Sequence, residues 1–151
     1  MDVFSKSLRS RIMSRVRGRG NKATELRMLD VFRQNRITGW RRHKRIFGKP
    51  DFIFLKARLA VFVDGCFWHG CPKHASEPAS NRGFWRRKLE RNKVRDRLVN
   101  RTLKYRGWRV LRVWQHELSQ KNEPRLVSRI QRTLALLNQK SRRSSKRISH
   151  L

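Results

Sequence analysis

Gly48-Lys49-Pro50-Asp51-Phe52-Ile53-Phe54-Leu55-Lys56-Ala57-Arg58-Leu59-Ala60-Val61-Phe62-Val63-Asp64 is the stretch on which the fold turns. It holds two short apolar runs, too short for globular helices and rich in aromatic and β-branched residues. Both therefore read as strands, Asp51–Leu55 and Leu59–Val63. Gly48-Lys49-Pro50 and Lys56-Ala57-Arg58 supply the turns around them. Upstream, Gly39–Ile46 is a further strand. Before it a helix is expected over about Lys22–Gln34, with Asn21 as N-cap. Downstream, a long helix is expected over Gly83–Tyr105, stopping at Gly107. Trp108–Trp114 has the composition of a mostly buried strand. Pro124 suits the first turn of a last helix, on which Leu126, Ile130, Leu134 and Leu137 share one face. The order helix, three strands, helix, strand, helix implies one α/β domain with a mixed central sheet flanked by helices. It would span 21–138, between a basic N-terminal arm over 1–20 and a basic, disordered tail over 139–151.

Charge names the partner class. Forty Lys and Arg against ten Asp and Glu leave +30 on 151 residues, a field that attracts a polyanion and makes association salt-dependent. Nucleic acid is the expected partner, and charge alone does not separate binding from cutting. No apolar run reaches the roughly 18 residues of a membrane span, and the N-terminus lacks an apolar secretory segment. A cytoplasmic, nucleoid-associated monomer is expected.

Candidate chemistry is crowded into Val63-Asp64-Gly65-Cys66-Phe67-Trp68-His69-Gly70-Cys71-Pro72-Lys73-His74, which contains both cysteines. The cysteines could pair, but with histidines beside them metal ligation is the preferred reading. Cys66, Cys71 and His74 offer three zinc ligands in compact order. The fourth must come from elsewhere, with His116 the best placed and His43 and His69 competing. Phe67, Trp68 and Trp85 either stack on or wedge between bases, or pack the loop onto the sheet.

Because acidic residues are few, each position is informative. Trp85, Leu89, Asn92, Asp96, Val99 and Leu103 fall on one stripe of the long helix, so Asp96 points inward. There it either pairs with an arginine or orients a histidine. Glu25 is also on an inward face, in a first turn where the helix dipole favours it. Asp51 opens a buried strand and Asp64 closes the next one. Carboxylates at neighbouring strand ends either form turns or hold Mg²⁺ with positions open for water and phosphate.

Gly48-Lys49-Pro50-Asp51-Phe52, Phe62 through Pro72, Asn81 through Trp85, Arg95-Asp96-Arg97 and Gly107-Trp108-Arg109-Val110 together resemble the very-short-patch mismatch repair endonucleases, from about Ser10 to Leu118. The resemblance implies a restriction-endonuclease-like core with a structural zinc. It implies Mg²⁺-dependent nicking of duplex DNA beside a T·G mismatch left by 5-methylcytosine deamination. By the same resemblance, Asp51 and the main-chain carbonyl of Val63 hold Mg²⁺, and His69 is the general base. Asp96 orients His69, and Glu25 completes the catalytic group. Cys66, Cys71, His74 and His116 are the zinc set, Phe67, Trp68 and Trp85 the major-groove wedge, and Met13 inserts from the minor groove. The chain departs from the wider nuclease pattern at Asp64-Gly65-Cys66, where an acidic-x-Lys triplet would be expected. A zinc-stabilised DNA-binding module without catalysis is the competing reading. A basic RNA-associated structural protein has no need of Asp51, His69 and Asp96.

Overall fold

The computed structural model describes residues 23–74 and 78–148. The N-terminal arm, with Met13, lies outside the described residues. Helix α1 is Glu25–Gln34, followed by strands β1 (Trp40–Arg42), β2 (Phe52–Phe54) and β3 (Leu59–Asp64), helix α2 (Arg82–Tyr105), strand β4 (Arg109–Trp114), a short 3₁₀ turn (Gln115–Leu118) and helix α3 (Glu123–Ile148). The four strands form one sheet in the order β1-β2-β3-β4. β1, β2 and β3 are antiparallel neighbours, with Phe52 opposite Val61, whereas β4 runs parallel to β3 with Asp64 opposite Trp114. The mixed sheet expected from the element order is therefore present, and α2 is the crossover that parallel β3 and β4 require.

Alternation along the two central strands builds two cores. Phe52, Phe54, Leu59, Val61 and Val63 face α1 and α3, where they meet Met28, Val31, Phe32, Leu126 and Ile130. Ile53, Ala60 and Phe62 point to the opposite face and pack against Val99 and Leu103 of α2. Covered on both sides, β2 and β3 are buried at every position, which is why they read as continuous apolar runs. Gly48 lets the chain pass close to α2: its backbone is left-handed (φ +79°), and a Cβ there would collide with Val99. Gly107 takes the left-handed position just beyond α2 (φ +79°), as expected of a helix stop. The Arg58 guanidinium donates to the carbonyls of Arg106 and Gly107, at 2.7 and 3.2 Å, satisfying groups at the helix end.

Several boundaries differ from expectation for physical reasons. α1 begins at Glu25 after Thr24; Asn21 and Lys22, expected to open it, lie outside the described residues. β1 is confined to Trp40–Arg42, because His43 adopts a left-handed backbone (φ +54°) and ends the extended run. β4 is an edge strand, and only Val113 is fully buried; the expectation of a mostly buried strand mistook its apolar composition for two-sided burial. The four apolar residues of α3 do line the core side, with Leu134 and Leu137 partly covered. α3 then continues to Ile148, through much of the segment expected to be a disordered tail. No Gly or Pro interrupts Asn138-Gln139-Lys140-Ser141-Arg142-Arg143, so a helix already nucleated on the core propagates into it.

Candidate active site and metal centre

Two chemically distinct clusters meet at the end of β3. The first is assembled from both sides of the loop that follows it. Asp64 ends β3 on the α2 side of the sheet, His69 lies five residues on, and Asp96 projects from the inward stripe of α2. The half-buried stripe expected from periodicity is present, with Trp85, Leu89, Asn92 and Asp96 partly covered and Val99 and Leu103 buried. His69 Nδ1 lies 2.6 Å from Asp96 Oδ2 and 3.8 Å from Asp64 Oδ1. Asp96 thus does both things the sequence left open: it holds a histidine, and it faces Arg112 Nη2 at 3.4 Å. Burial raises the Asp96 carboxyl, but the His69 hydrogen bond and charge, with Arg112 and Arg95, leave it below the ordinary carboxylate value. An ionised Asp96 can only accept, so Nδ1 of His69 carries the proton and Nε2 is left with the lone pair in the neutral ring.

Asp51 stands immediately before β2. Its Oδ2 accepts a hydrogen bond from the Val63 main-chain N–H at 2.7 Å, across the antiparallel β2–β3 pair. Val63 is therefore beside Asp51, in contact through its N–H. Burial raises the Asp51 pKa from 3.8 to about 6; the Val63 N–H opposes this, while nearby Glu25 and Asp64 add to it. A carboxylate held among other carboxylates gains most from a divalent cation. Glu25 is buried in the first turn of α1, where Arg42 Nη2 donates to its Oε1 at 2.5 Å and His43 Nε2 lies 3.5 Å away. It bears on Asp51 through its charge.

The second cluster is formed by Cys66, Cys71, His74 and His116. The cysteines are not paired with each other, and one ligand atom from each of the four residues lies within 4.8 Å of the rest. Nδ1 of His116 is 3.3 Å from Cys66 Sγ and 3.5 Å from Cys71 Sγ, and His74 Nδ1 is 3.8 Å from Cys71 Sγ. A tetrahedral zinc with bonds of about 2.3 Å to sulfur and 2.0–2.1 Å to nitrogen separates sulfur from nitrogen by about 3.5 Å. The donor set fits zinc in type, number and spacing. His116 enters from the 3₁₀ turn after β4, whereas His43 and His69, the other candidates for the fourth ligand, pair with Glu25 and Asp96. Desolvation and the neighbouring His74 lower the His116 pKa, favouring the neutral ring that a metal ligand needs.

The three expected wedge aromatics touch one another. Phe67 lies 5.2 Å from Trp68 and 5.4 Å from Trp85, centroid to centroid, and Lys88 Nζ sits 5.0 Å above the Trp68 ring. Asn92 donates to the Trp68 carbonyl at 2.8 Å, tying the loop to α2. All three rings are half-buried, so they pack the loop onto α2 and still present an aromatic surface.

Sequence reasoning gave Asp64 no firm role and missed Arg112 altogether. Arg112 Nη1 bonds both oxygens of Asp64, at 3.0 and 2.9 Å, supplying the counter-charge between Asp64 and Asp96. Its only signal was a charged residue within an apolar strand, and among forty Lys and Arg that signal is invisible.

A model of the DNA mismatch endonuclease Vsr family matches residues 1–75. The chain is 33% identical over 115 residues to the DNA mismatch endonuclease Vsr of Escherichia coli, covering 76% of this chain and 73% of that one. The type II nicking enzyme V.NmeAIP of Neisseria meningitidis is 36% identical over 122 residues, covering 80% and 86%. The chain belongs to the Vsr family. The type II nicking enzyme V.NaeI of Lentzea aerocolonigenes is 56% identical over a shorter stretch of 69 residues, 46% of this chain and 42% of that one. Against this and two further nicking enzymes, the chain spans about half the length of the relative, 42–57%. The Vsr model covers Glu25, Asp51, Asp64, His69 and three of the four zinc-type ligands, and stops short of Asp96, Arg112 and His116. Among the described residues, no helix is long and apolar enough to cross a membrane.

Proposed function

We propose that the protein nicks one strand of duplex DNA beside a T·G mismatch arising from 5-methylcytosine deamination, on a restriction-endonuclease-like core stabilised by zinc. The observation that carries this reading is the His69–Asp96 pair, 2.6 Å apart, beside Asp64 and within the electrostatic reach of Asp51. A binding module has no use for an imidazole oriented by an ionised carboxylate next to a raised aspartate. Membership of the Vsr family, and the nicking and mismatch-endonuclease activities for which its relatives are named, point the same way.

In this reading Asp51 and the Val63 main-chain carbonyl hold Mg²⁺, whose charge, when bound, stabilises the phosphate and the leaving oxygen as negative charge builds there. Nε2 of His69 takes the proton of the attacking water, and Asp96 keeps Nδ1 protonated so that this lone pair is available. A positioned base of this kind contributes roughly 10²–10⁴-fold to the rate. Phe67, Trp68 and Trp85 meet the unstacked base step from the major groove, with Met13 reaching in from the minor groove. Cys66, Cys71, His74 and His116 hold zinc and fix the loop that carries His69. The protein acts as a monomer in the cytoplasm, on nucleoid DNA.

The test is a strand-break assay with labelled duplexes carrying T·G or a matched T·A pair, in Mg²⁺. A single-strand nick confined to the T·G duplex is expected, and Asp51→Ala should abolish it. Equal cleavage of matched DNA would remove mismatch specificity, and an Asp51→Ala variant as fast as the parent would remove the metal assignment.

A further inference from the structure

Arg112 is bound on every side by groups that have to be in register for His69 to work. It lies in β4 opposite Phe62 of β3, and its guanidinium carbon sits 4.5 Å over the Phe62 ring. Nη1 donates to both oxygens of Asp64, Nη2 faces Asp96 Oδ1 at 3.4 Å, and Nε donates to Asn100 Oδ1 at 2.9 Å. Asp96 and Asn100 are one turn apart on α2, so a single planar group joins β3, β4 and α2.

The two oxygens of Asp96 are divided between two tasks. Oδ2 meets His69 Nδ1, and Oδ1 faces Arg112. Rotation of the carboxylate would break both contacts, so Arg112 fixes the plane in which Asp96 meets the imidazole. Asp64, the other carboxylate near His69, is gripped by the same guanidinium and kept from competing for Nδ1 at a shorter distance. We propose that Arg112 is a positioning residue for nicking, acting through Asp96 and Asp64 to hold His69 in the Nδ1–H tautomer and at one ring angle. This inference rests on the endonuclease reading above, and it separates Arg112 from the many basic residues expected to meet phosphate. Its side chain is only 19% exposed, and its nitrogens are committed to protein groups. Lysine cannot reproduce the contacts, because an ammonium lacks the planar fork that spans two carboxylates and an amide.

The experiment uses the full chain, zinc-loaded, with Arg112→Lys and Asn100→Ala. Three quantities are read: the single-turnover nicking rate, duplex affinity over a range of salt, and the ring ¹⁵N shifts of His69 in the free protein at pH 8. For Arg112→Lys we expect the rate to fall about 100-fold, the scale of a misplaced general base. Affinity should stay within about twofold and the salt slope should be unchanged, since no phosphate contact is lost. The His69 signal should move from the Nδ1–H tautomer to a mixture, and Asn100→Ala should show smaller changes in the same direction. Parental rate and tautomer in Arg112→Lys would overturn the proposal, as would a shallower salt slope, which would make Arg112 a phosphate contact. If Arg112→Lys has no cooperative melt, Asn100→Ala decides: parental rate and tautomer there overturn the proposal. If the parent nicks no duplex, the endonuclease reading fails, while the tautomer comparison still decides whether Arg112 positions His69.

Discussion

Asp51→Asn should make the metal-free protein more stable at neutral pH, although the proposed function gives this carboxylate the metal. Asp51 is raised from 3.8 to about 6 in the folded protein, first by burial and then by Glu25 and Asp64 against the Val63 N–H. The folded chain thus holds this proton more tightly than the unfolded one. The resulting stability is fully present below pH 3.8 and is lost as pH rises through about 6. At about 1.4 kcal/mol for each pH unit between the two values, the ionised carboxylate costs at most about 3 kcal/mol above pH 7. Asparagine keeps an oxygen to accept the Val63 N–H and never ionises, so that cost is absent from the variant. Urea unfolding in zinc-replete, magnesium-free buffer measures the difference. The variant should be more stable by up to about 3 kcal/mol at pH 7.5, and by only about 0.5 kcal/mol at pH 4. Magnesium added at about 100 times its dissociation constant should then stabilise the parent by about 2.7 kcal/mol and leave the variant nearly unmoved. A variant no more stable than the parent at pH 7.5, or a difference that does not shrink toward pH 4, would refute the account of Asp51 as a strained, cation-seeking carboxylate.

Two further outcomes follow from the geometry. Removing zinc with a chelator should unfold the protein and not merely silence it, because Cys66, Cys71, His74 and His116 join the loop after β3 to the turn after β4; loss of nicking with an unchanged thermal melt would contradict this. Deleting 139–151 should leave the melt almost unchanged, since the described side chains beyond residue 138 are exposed. The deletion removes Lys140, Arg142, Arg143, Lys146 and Arg147, so affinity should weaken and the salt slope should shallow by up to about 0.9 for each lost phosphate contact. Mismatch preference should be unaffected, and a changed preference would show that this helix end reads the substrate.

The Cys66–Cys71–His74–His116 cluster and the His69–Asp96 pair were legible for different reasons. Cys66, Cys71 and His74 lie within nine positions, so spacing alone suggested ligation. Asp96 was conspicuous because a carboxylate on the apolar stripe of a basic helix requires a partner, and the structure supplies two. Asp64 was ambiguous because a strand-ending aspartate is also ordinary turn chemistry. Arg112 left no trace, since its role depends on β4 lying beside β3 and on α2 crossing the same sheet face. The aromatic trio was undecided between stacking on bases and packing the loop, and its half-buried, mutually packed rings show that packing does not remove the exposed surface.

Local chemistry determined the element order, the placement of turns at Gly48-Lys49-Pro50 and Gly107, and the attraction to a polyanion, because these depend on neighbours in the chain or on total charge. Tertiary structure decided which residues converge. His69 meets Asp96 across 27 positions, Arg112 meets Asp64 across 48, and His116 meets Cys66 across 50. Each pairing is set by the parallel β3–β4 register and by the face of the sheet on which α2 is laid. A one-residue change in that register would turn Arg112 to the other face and leave Asp64 without its guanidinium. Residue spacing carries no record of such a register, which arises only when both faces of the sheet are buried together.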